Sequence, residues 1–313
     1  MRARLRPALA AACLTLALGS AAEAATTGYA VGFDTLFRIE LTTGKATRIG
    51  TFGTYGASDA LIADVEGISF APDGTLYGVS DSQKLLVRID PATAAATPVG
   101  LLREGEQLIA SPTESLDFGL AFTCDGRMWL SSDSRSKLWE VDPRSGQVRF
   151  VGETGARISG LAARGNQMLG IGVEGDSGLY RIDLESGRAT LMARLVPSAS
   201  FLDAGLDFDA DGQLWAARNL QGQTSDLVRI DIDNGMTRDV SRVTFAAGVT
   251  DKEIETLAIA APGGCTGGTP IGPPQGLSPD PRAVPAASTG ALALLGALLA
   301  LVAGLTLRRR SAR

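Results

Sequence analysis

Short apolar runs, each broken by a polar residue and ended by an acid and a small-residue turn, recur along the chain. "LFRIELTTGKAT" at 36–47 returns as "LVRIDPATAAAT" at 86–97, "LWEVDPRSGQV" at 138–148, "LYRIDLESGRAT" at 179–190 and "LVRIDIDNGMT" at 227–237. The acid that closes each run falls at 40, 90, 142, 183 and 231, spacings of 50, 52, 41 and 48. Periods of this length mark stacked or radially arranged units. A second phrase precedes the first: an apolar "G-L-x-F" segment, a turn, then Leu or Met followed by an aromatic. Its copies are "GISFAPDGTLYGVS" (67–80), "GLAFTCDGRMWLSS" (119–132) and "GLDFDADGQLWAAR" (205–218), with a shorter form "GLAARGNQMLGIGV" at 160–173. Asp73-Gly74, Asp125-Gly126 and Asp211-Gly212 are hairpin signals, because glycine tolerates the positive φ of tight turns. Four residues after the acid stands Gly44, Gly146, Gly187 or Gly235, with Ala94 breaking the series. That spacing suits a short turn closed by the acid's side chain on the backbone.

Each unit therefore reads as four short strands, and four-stranded units of 40–50 residues predict a β-propeller. The first unit lacks its first strand, since "TTGYAVGFDTLFRIE" already supplies the second and third. The last segment, "IETLAIAAP" at 254–262, is a first strand with nothing after it. The two fragments complete one another, which predicts an all-β, five-bladed ring over 25–262, closed by N- and C-terminal strands in one blade. Closure removes open sheet edges. Six blades, with a degenerate one near 102–114 or 53–63, is the alternative, and those gaps are short for it.

The two ends read as addresses rather than structure. Arg2, Arg4 and Arg6, the apolar run Ala8 to Leu18 and the Ala22-Glu23-Ala24 site form a signal peptide over 1–24. Residues 263–285, rich in Gly and Pro, make a linker. Residues 286–307 contain an uncharged run, Gly290 to Leu307, of the length needed for a transmembrane helix. The basic tail 308–313, with Arg308, Arg309 and Arg310, fixes that end in the cytoplasm. The expected location is the periplasm or cell surface of a Gram-negative bacterium, with an anchor that is cleaved or retained.

Removing the ends changes the charge. Taking away three Arg and one Glu in 1–24 and five Arg in 282–313 leaves 21 basic and 33 acidic residues, a net charge of −12. Such a surface excludes nucleic acid as a natural partner. The chain has no histidine, which removes Ser-His-Asp and Cys-His catalysis and His-ligated zinc. Cys13 leaves with the signal peptide, so Cys124 and Cys265 form an even pair in an oxidising compartment, a candidate disulfide.

In a propeller the segments entering the first strands converge on the axis. Here they carry Asp64 and Glu66, Glu114 and Asp117, Ser159, Asp203, and Asp251, Glu253 and Glu255. Loops after the second strands add Asp34, Asp81, Asp133, Asp176 and Asn219 on the same face. Converging carboxylates repel unless a cation compensates them, and hard oxygen ligands suit Ca²⁺. Glu66, Asp117, Asp203 and Glu255 are the candidate metal ligands. The plain alternative is a set of solvated or turn-capping acids. Tyr77, Trp129 and Trp215 occupy equivalent positions that read as packing between blades. Arg38, Arg88, Arg181 and Arg229 are expected to pair with acids of neighbouring blades.

Two resemblances extend this reading. The linker, Val284-Pro285, apolar helix and arginine cluster resemble the tripartite C-terminal sorting signals of the IPTL-CTERM type, related to the PEP-CTERM family. Val284, Pro285 and Ser288 match the I-P-T-L-S-x-W-G pattern, while Ala286, Ala287 and Gly290 depart from it. The resemblance implies a C-terminal sorting protease as a partner. The repeats resemble secreted propellers with quinoprotein-like or gluconolactonase-like repeats. Gluconolactonase-like members hold a divalent cation at the mouth of the axis with Glu, Asn and Asp, although no family motif assigns a catalytic residue here. The sequence thus points first to a non-enzymatic, surface-anchored binding module for an unknown surface ligand or protein. A Ca²⁺-dependent hydrolase or lactonase is the alternative, and a structural envelope or matrix protein is a third.

Overall fold

The computed structural model describes residues 26–196, 201–219, 223–249 and 253–261. The signal peptide, Cys265, the linker with Val284 and Pro285, the transmembrane helix and the basic tail lie outside the described residues. Among the described residues every regular element is a strand, and no helix is long and apolar enough to cross a membrane.

Five four-stranded antiparallel sheets account for the repeats. Blade I contains Thr256–Ala258, Thr27–Gly32, Thr35–Glu40 and Ala46–Thr51; blade II runs Val65–Phe70, Leu76–Ser80, Leu85–Ile89 and Ala96–Leu101. Blade III comprises Phe118–Phe122, Met128–Ser132, Lys137–Val141 and Val148–Glu153, and blade IV Ile158–Arg164, Gln167–Gly172, Gly178–Ile182 and Ala189–Arg194. Blade V comprises Asp203–Phe208, Leu214–Asn219, Asp226–Ile230 and Thr237–Arg242. The ring closes as the incomplete repeats imply: Thr256, Leu257 and Ala258 pair with Val31, Ala30 and Tyr29. No sixth blade fills the gaps. Each holds a two-stranded hairpin instead, Thr54–Tyr55 with Ala60–Leu61 and Arg103–Glu104 with Gln107–Leu108.

Both faces of each blade are apolar because each is covered by a neighbour. Five buried clusters result, one per junction. Tyr77 and Leu86 of blade II meet Leu120 and Trp139 of blade III, and Phe37 of blade I meets Trp215 and Leu227 of blade V. The rim is also tied at every junction. Backbone N–H groups of Ala46, Ala96, Arg103, Ala189 and Thr237 donate to carbonyls of Thr244, Phe52, Gly146, Thr154 and Val196 across the seams, at 2.7–3.3 Å. In the turns, Asp90, Asp142, Asp183 and Asp231 accept the N–H two residues on, at 2.8–2.9 Å. This is the acid-closed turn expected from the spacing. Ala94 holds the same left-handed conformation (φ 66°) as the glycines at its equivalent positions.

Two of the four strand arginines follow a different rule from the one expected. Arg88 lies over Tyr77, 5.8 Å from the ring centroid, and Arg229 over Trp215 at 4.5 Å. Each arginine is directly opposite that ring in the same blade. Cross-strand pairing places the guanidinium over its own blade's aromatic, so cation–π contact replaces the expected inter-blade ion pair.

The glycine opening each "G-L-x-F" phrase explains how the centre closes. A Cβ at Gly119 would collide with the carbonyl oxygen of Ser159, at Gly160 with that of Ala204, and at Gly205 with the backbone of Thr256 and Leu257. At Gly67 it would stand 2.9 Å from the Cβ of Leu120. Neighbouring inner strands touch backbone to backbone at this layer. Thr256 holds the fifth place, and its hydroxyl accepts the N–H of Ile68 at 3.1 Å. The axial space lined by these residues has no room for a water-sized sphere. The axis is closed at this layer, which forms a floor beneath the converging segments.

Gly160→Ala and Gly205→Ala force overpacking of this layer, which costs about 1–3 kcal/mol or more. Thermal unfolding should fall by about 5–10 °C for either, given about 2–4 °C per kcal/mol at this size. Thr97→Ala on an exposed outer strand should leave it nearly unchanged.

Candidate functional site

Above the glycine floor, the heads of the inner strands bring carboxylates together. Asp64 and Asp117 immediately precede the inner strands of blades II and III, both in the left-handed region (φ 57° and 49°). Aspartate tolerates this conformation better than most residues. Their carbonyls accept the N–H of Asp81 (2.7 Å) and Asp133 (3.2 Å), at the ends of the adjacent strands. Arg157 holds the equivalent place in blade IV, its carbonyl accepting the Val173 N–H at 3.0 Å. One backbone motif thus presents Asp, Asp and Arg in turn around the mouth.

Carboxylate oxygens of Asp64, Glu66 and Asp81 all lie within 4.8 Å of one another. Glu66 is 8% exposed, and its Oε2 accepts the N–H of Phe118 in the next blade at 2.7 Å. Burial, then repulsion from Asp81, Asp117, Asp203 and Asp64 in that order, pushes its pKa well above the usual range. Asp64 is shifted upward by burial and by Asp81. Of the ligands expected from sequence, Glu66, Asp117 and Asp203 therefore act on one another at the mouth. Glu255 immediately precedes the closing strand, half-buried, its N–H bonded to the carbonyl of Val31 at 3.0 Å.

Blades II and III treat the next carboxylate differently. Asp81 is matched by Lys84, whose side chain is wholly buried. The ammonium donates to Asp81 Oδ1 (2.6 Å) and to the carbonyls of Asp81 and Glu114 (both 2.5 Å), using its three protons. Asp81 Oδ2 accepts the Leu116 N–H at 2.9 Å. Burial still outweighs these bonds and raises its pKa. In blade III, Ser136 stands where blade II has Lys84, in the same left-handed conformation. Asp133, 3% exposed, consequently lacks an ammonium partner. Its Oδ1 is buried without a hydrogen bond, and Oδ2 has the Arg157 guanidinium at 3.5 Å. Burial first, and the Asp117 charge second, push its pKa to about 8 against the opposing pull of Arg157. Arg157 also pairs with Glu174.

Asp203 completes the group from blade V. The Ser159 hydroxyl donates to its Oδ1, and the Ala204 N–H does so at 2.7 Å, yet burial holds its pKa at about 6. The mouth thus gathers six carboxylates, Asp64, Glu66, Asp81, Asp117, Asp133 and Asp203, against the cations of Lys84 and Arg157. The donor set is all hard oxygen, the chemistry of Ca²⁺ rather than of a soft or nitrogen-preferring metal. Lys84 and Arg157 were not singled out by the sequence. The only signal for Lys84 is "SDSQK" standing where the next unit reads "SDSRS".

The opposite end of the axis carries a different acid. Asp207 Oδ2 accepts the N–H groups of Ile259 (2.6 Å) and Ala260 (3.4 Å), clasping the closing strand. Burial lifts its pKa to about 7. Cys124 lies in the turn at this end of blade III, its N–H bonded to the Gly165 carbonyl at 3.0 Å.

No protein-family model and no curated protein matches the chain. Several solved structures are similar to the chain at low identity. Virginiamycin B lyase from Staphylococcus aureus is 14% identical, covering 72% of this chain and 77% of its own, with a TM-score of 0.40. A gluconolactonase from Xanthomonas campestris is 13% identical, covering 69% and 76%, with a TM-score of 0.44. Hydrazine synthase from Kuenenia stuttgartiensis is 18% identical with a TM-score of 0.40, and the match covers 56% of this chain and 49% of that one, about half its length. At these values the likeness bears on no residue and no activity of this chain.

The raised carboxylates set a direction for pH. Asp133, Asp203 and Asp207 hold protons more tightly folded than unfolded, where an aspartate titrates near 3.9. The folded state therefore binds more protons across about pH 4–8, and stability falls as pH rises through the folded values of about 6, 7 and 8. In metal-free buffer the unfolding temperature should drop between pH 5 and pH 8.5. Asp133→Asn should remove most of the portion above pH 7.

Proposed function

We propose that this chain is an exported, surface-anchored binding module whose axial mouth seats a divalent cation of the Ca²⁺ type, through which a ligand or partner is held. The observation that carries this reading is the spread of 4.8 Å among oxygens of Asp64, Glu66 and Asp81. Ca²⁺ takes oxygens at 2.3–2.6 Å, so ligands on opposite sides of one ion stand about 4.6–5.2 Å apart. The residues fit the ion. Asp64, Glu66 and Asp81 would hold it, while Asp117 and Asp203 add negative potential. Bound there, the ion would offset the burial and mutual repulsion that raise the pKa values of Asp64, Glu66, Asp81 and Asp203. The closed floor confines a ligand to the open side of the mouth.

A second reading, a metal-dependent hydrolase of the lactonase type, is favoured by Asp133. A buried carboxyl raised to about 8, with Asp117 and Arg157 around it at the same mouth, has the properties of a general acid. Turnover of glucono-δ-lactone by the Ca²⁺-loaded chain, lost in Asp133→Asn, would establish it. No turnover with intact Ca²⁺ binding leaves the binding module.

Calcium should raise the unfolding temperature of the metal-free chain. At about 100 times Kd the gain is about 2.7 kcal/mol, or about 5–10 °C at this size. Glu66→Gln should remove most of the shift, and Asp203→Asn should reduce it by a smaller amount. Unchanged unfolding in millimolar Ca²⁺ would contradict the cation site.

Export and anchoring belong to the same proposal: the signal peptide is removed and the C-terminal helix holds the chain at the membrane until the sorting protease acts near Val284. A Cys124–Cys265 disulfide would tie the segment after the closing strand to blade III, across a loop of about 140 residues, where the entropic gain is several kcal/mol. Intact-mass measurement of the exported chain, with and without reduction before alkylation, should show residues 1–24 missing and two thiols appearing only on reduction. Two alkylated cysteines before reduction would refute the disulfide.

A further inference from the structure

A second polar pocket lies on the rim of blade III. It arises because the chain between blades II and III makes the hairpin Arg103–Glu104/Gln107–Leu108, which lies beside the outer strand of blade III. Arg103 N–H donates to the Gly146 carbonyl at 3.3 Å, and Glu104 Oε1 accepts the Phe150 N–H at 3.1 Å. Between the hairpin and the blade is a cavity of about 340 Å³, within the range of small-molecule sites. Trp139 and Phe150 contribute the aromatic surface, edge to face with centroids 6.4 Å apart. Phe150 is 39% exposed, an unusual place for a phenylalanine on an outer strand.

The polar groups around these rings are of complementary kinds. Lys137 is held by the Phe150 ring, 5.4 Å from its centroid, and makes no ion pair among the described residues. It offers donors only. Glu104 is exposed and offers acceptors only, while the exposed Gln107 offers both. Arg135 is fixed elsewhere: its guanidinium pairs with Glu114 and donates to the Ile109 carbonyl at 3.2 Å. The remaining charges, one lysine and one glutamate, cancel. A ligand matching this set is neutral, supplies donors and acceptors around its edge, and carries apolar C–H surface for the aromatic rings.

We propose that this pocket is a binding site for a neutral saccharide of one or two rings. Ring C–H groups pack on Phe150, and hydroxyls donate to Glu104 and accept from Lys137 and Gln107. None of its lining residues belongs to the axial mouth, so the site does not depend on the cation reading.

The test uses the purified full chain, with saturation-transfer NMR and calorimetry against glucose, galactose, mannose, N-acetylglucosamine and cellobiose. At least one should bind at millimolar or better affinity, unaffected by EDTA. Phe150→Ala and Glu104→Gln should each weaken it about tenfold or more. Gln107→Ala, an exposed hairpin change that leaves folding intact, should weaken it in the same direction. Absence of transfer to all five sugars would overturn the proposal. So would binding that survives Phe150→Ala in folded protein, preference for zwitterionic phenylalanine over every sugar, or binding abolished by EDTA.

Discussion

Five inner strands meet at one axis with only hydrogen atoms between several of their backbones. Gly67, Gly119, Gly160 and Gly205 make that approach possible, and Thr256 completes the layer by accepting a hydrogen bond from Ile68. With the strands held at this separation, the residues just above the layer have little freedom to spread. Glu66 reaches the backbone of the next blade, and Ser159 reaches Asp203 of the blade after its own. Packing that stabilises the ring therefore compresses the acidic groups at its mouth.

That compression opposes what charge alone would favour. Carboxylates brought out of water and near one another shift toward protonation or acquire a counter-cation. The chain supplies an internal answer once, in blade II, where Lys84 saturates its three donors on Asp81 and two carbonyls. In the corresponding loop of blade III, Ser136 leaves Asp133 with the longer Arg157 contact, the neighbouring Asp117 and one buried oxygen unpartnered. The repeat is regular in backbone and irregular in charge. The irregularity is where chemistry concentrates.

Much of the ring was legible because its signals are local and periodic. The "RID" acids, the turn glycines and the Asp-Gly pairs each encode a strand end. The mismatched first and last units encode closure. What escaped depends on distances between blades that no single phrase carries. The glycine of "G-L-x-F" was visible as a repeat, but its role as an interface that seals the axis requires knowing which backbones meet there. Lys84 reads as an ordinary loop lysine until its burial is known. Arg88 and Arg229 looked like partners for distant acids. Cross-strand register instead sets them over Tyr77 and Trp215. The hairpins at 54–61 and 103–108 lie in stretches too short for a blade and without repeat periodicity, so nothing in the pattern announced them.

The central claim is that the compressed carboxylates hold a hard divalent cation in common. Crystals of the full-length or tail-processed chain soaked in a lanthanide salt, a heavy substitute for Ca²⁺, would test it by anomalous diffraction. The account predicts one dominant peak at the axial mouth, within coordination distance of Asp64, Glu66 and Asp81. A mouth without an anomalous peak, with the lanthanide confined to exposed surface acids, would contradict it.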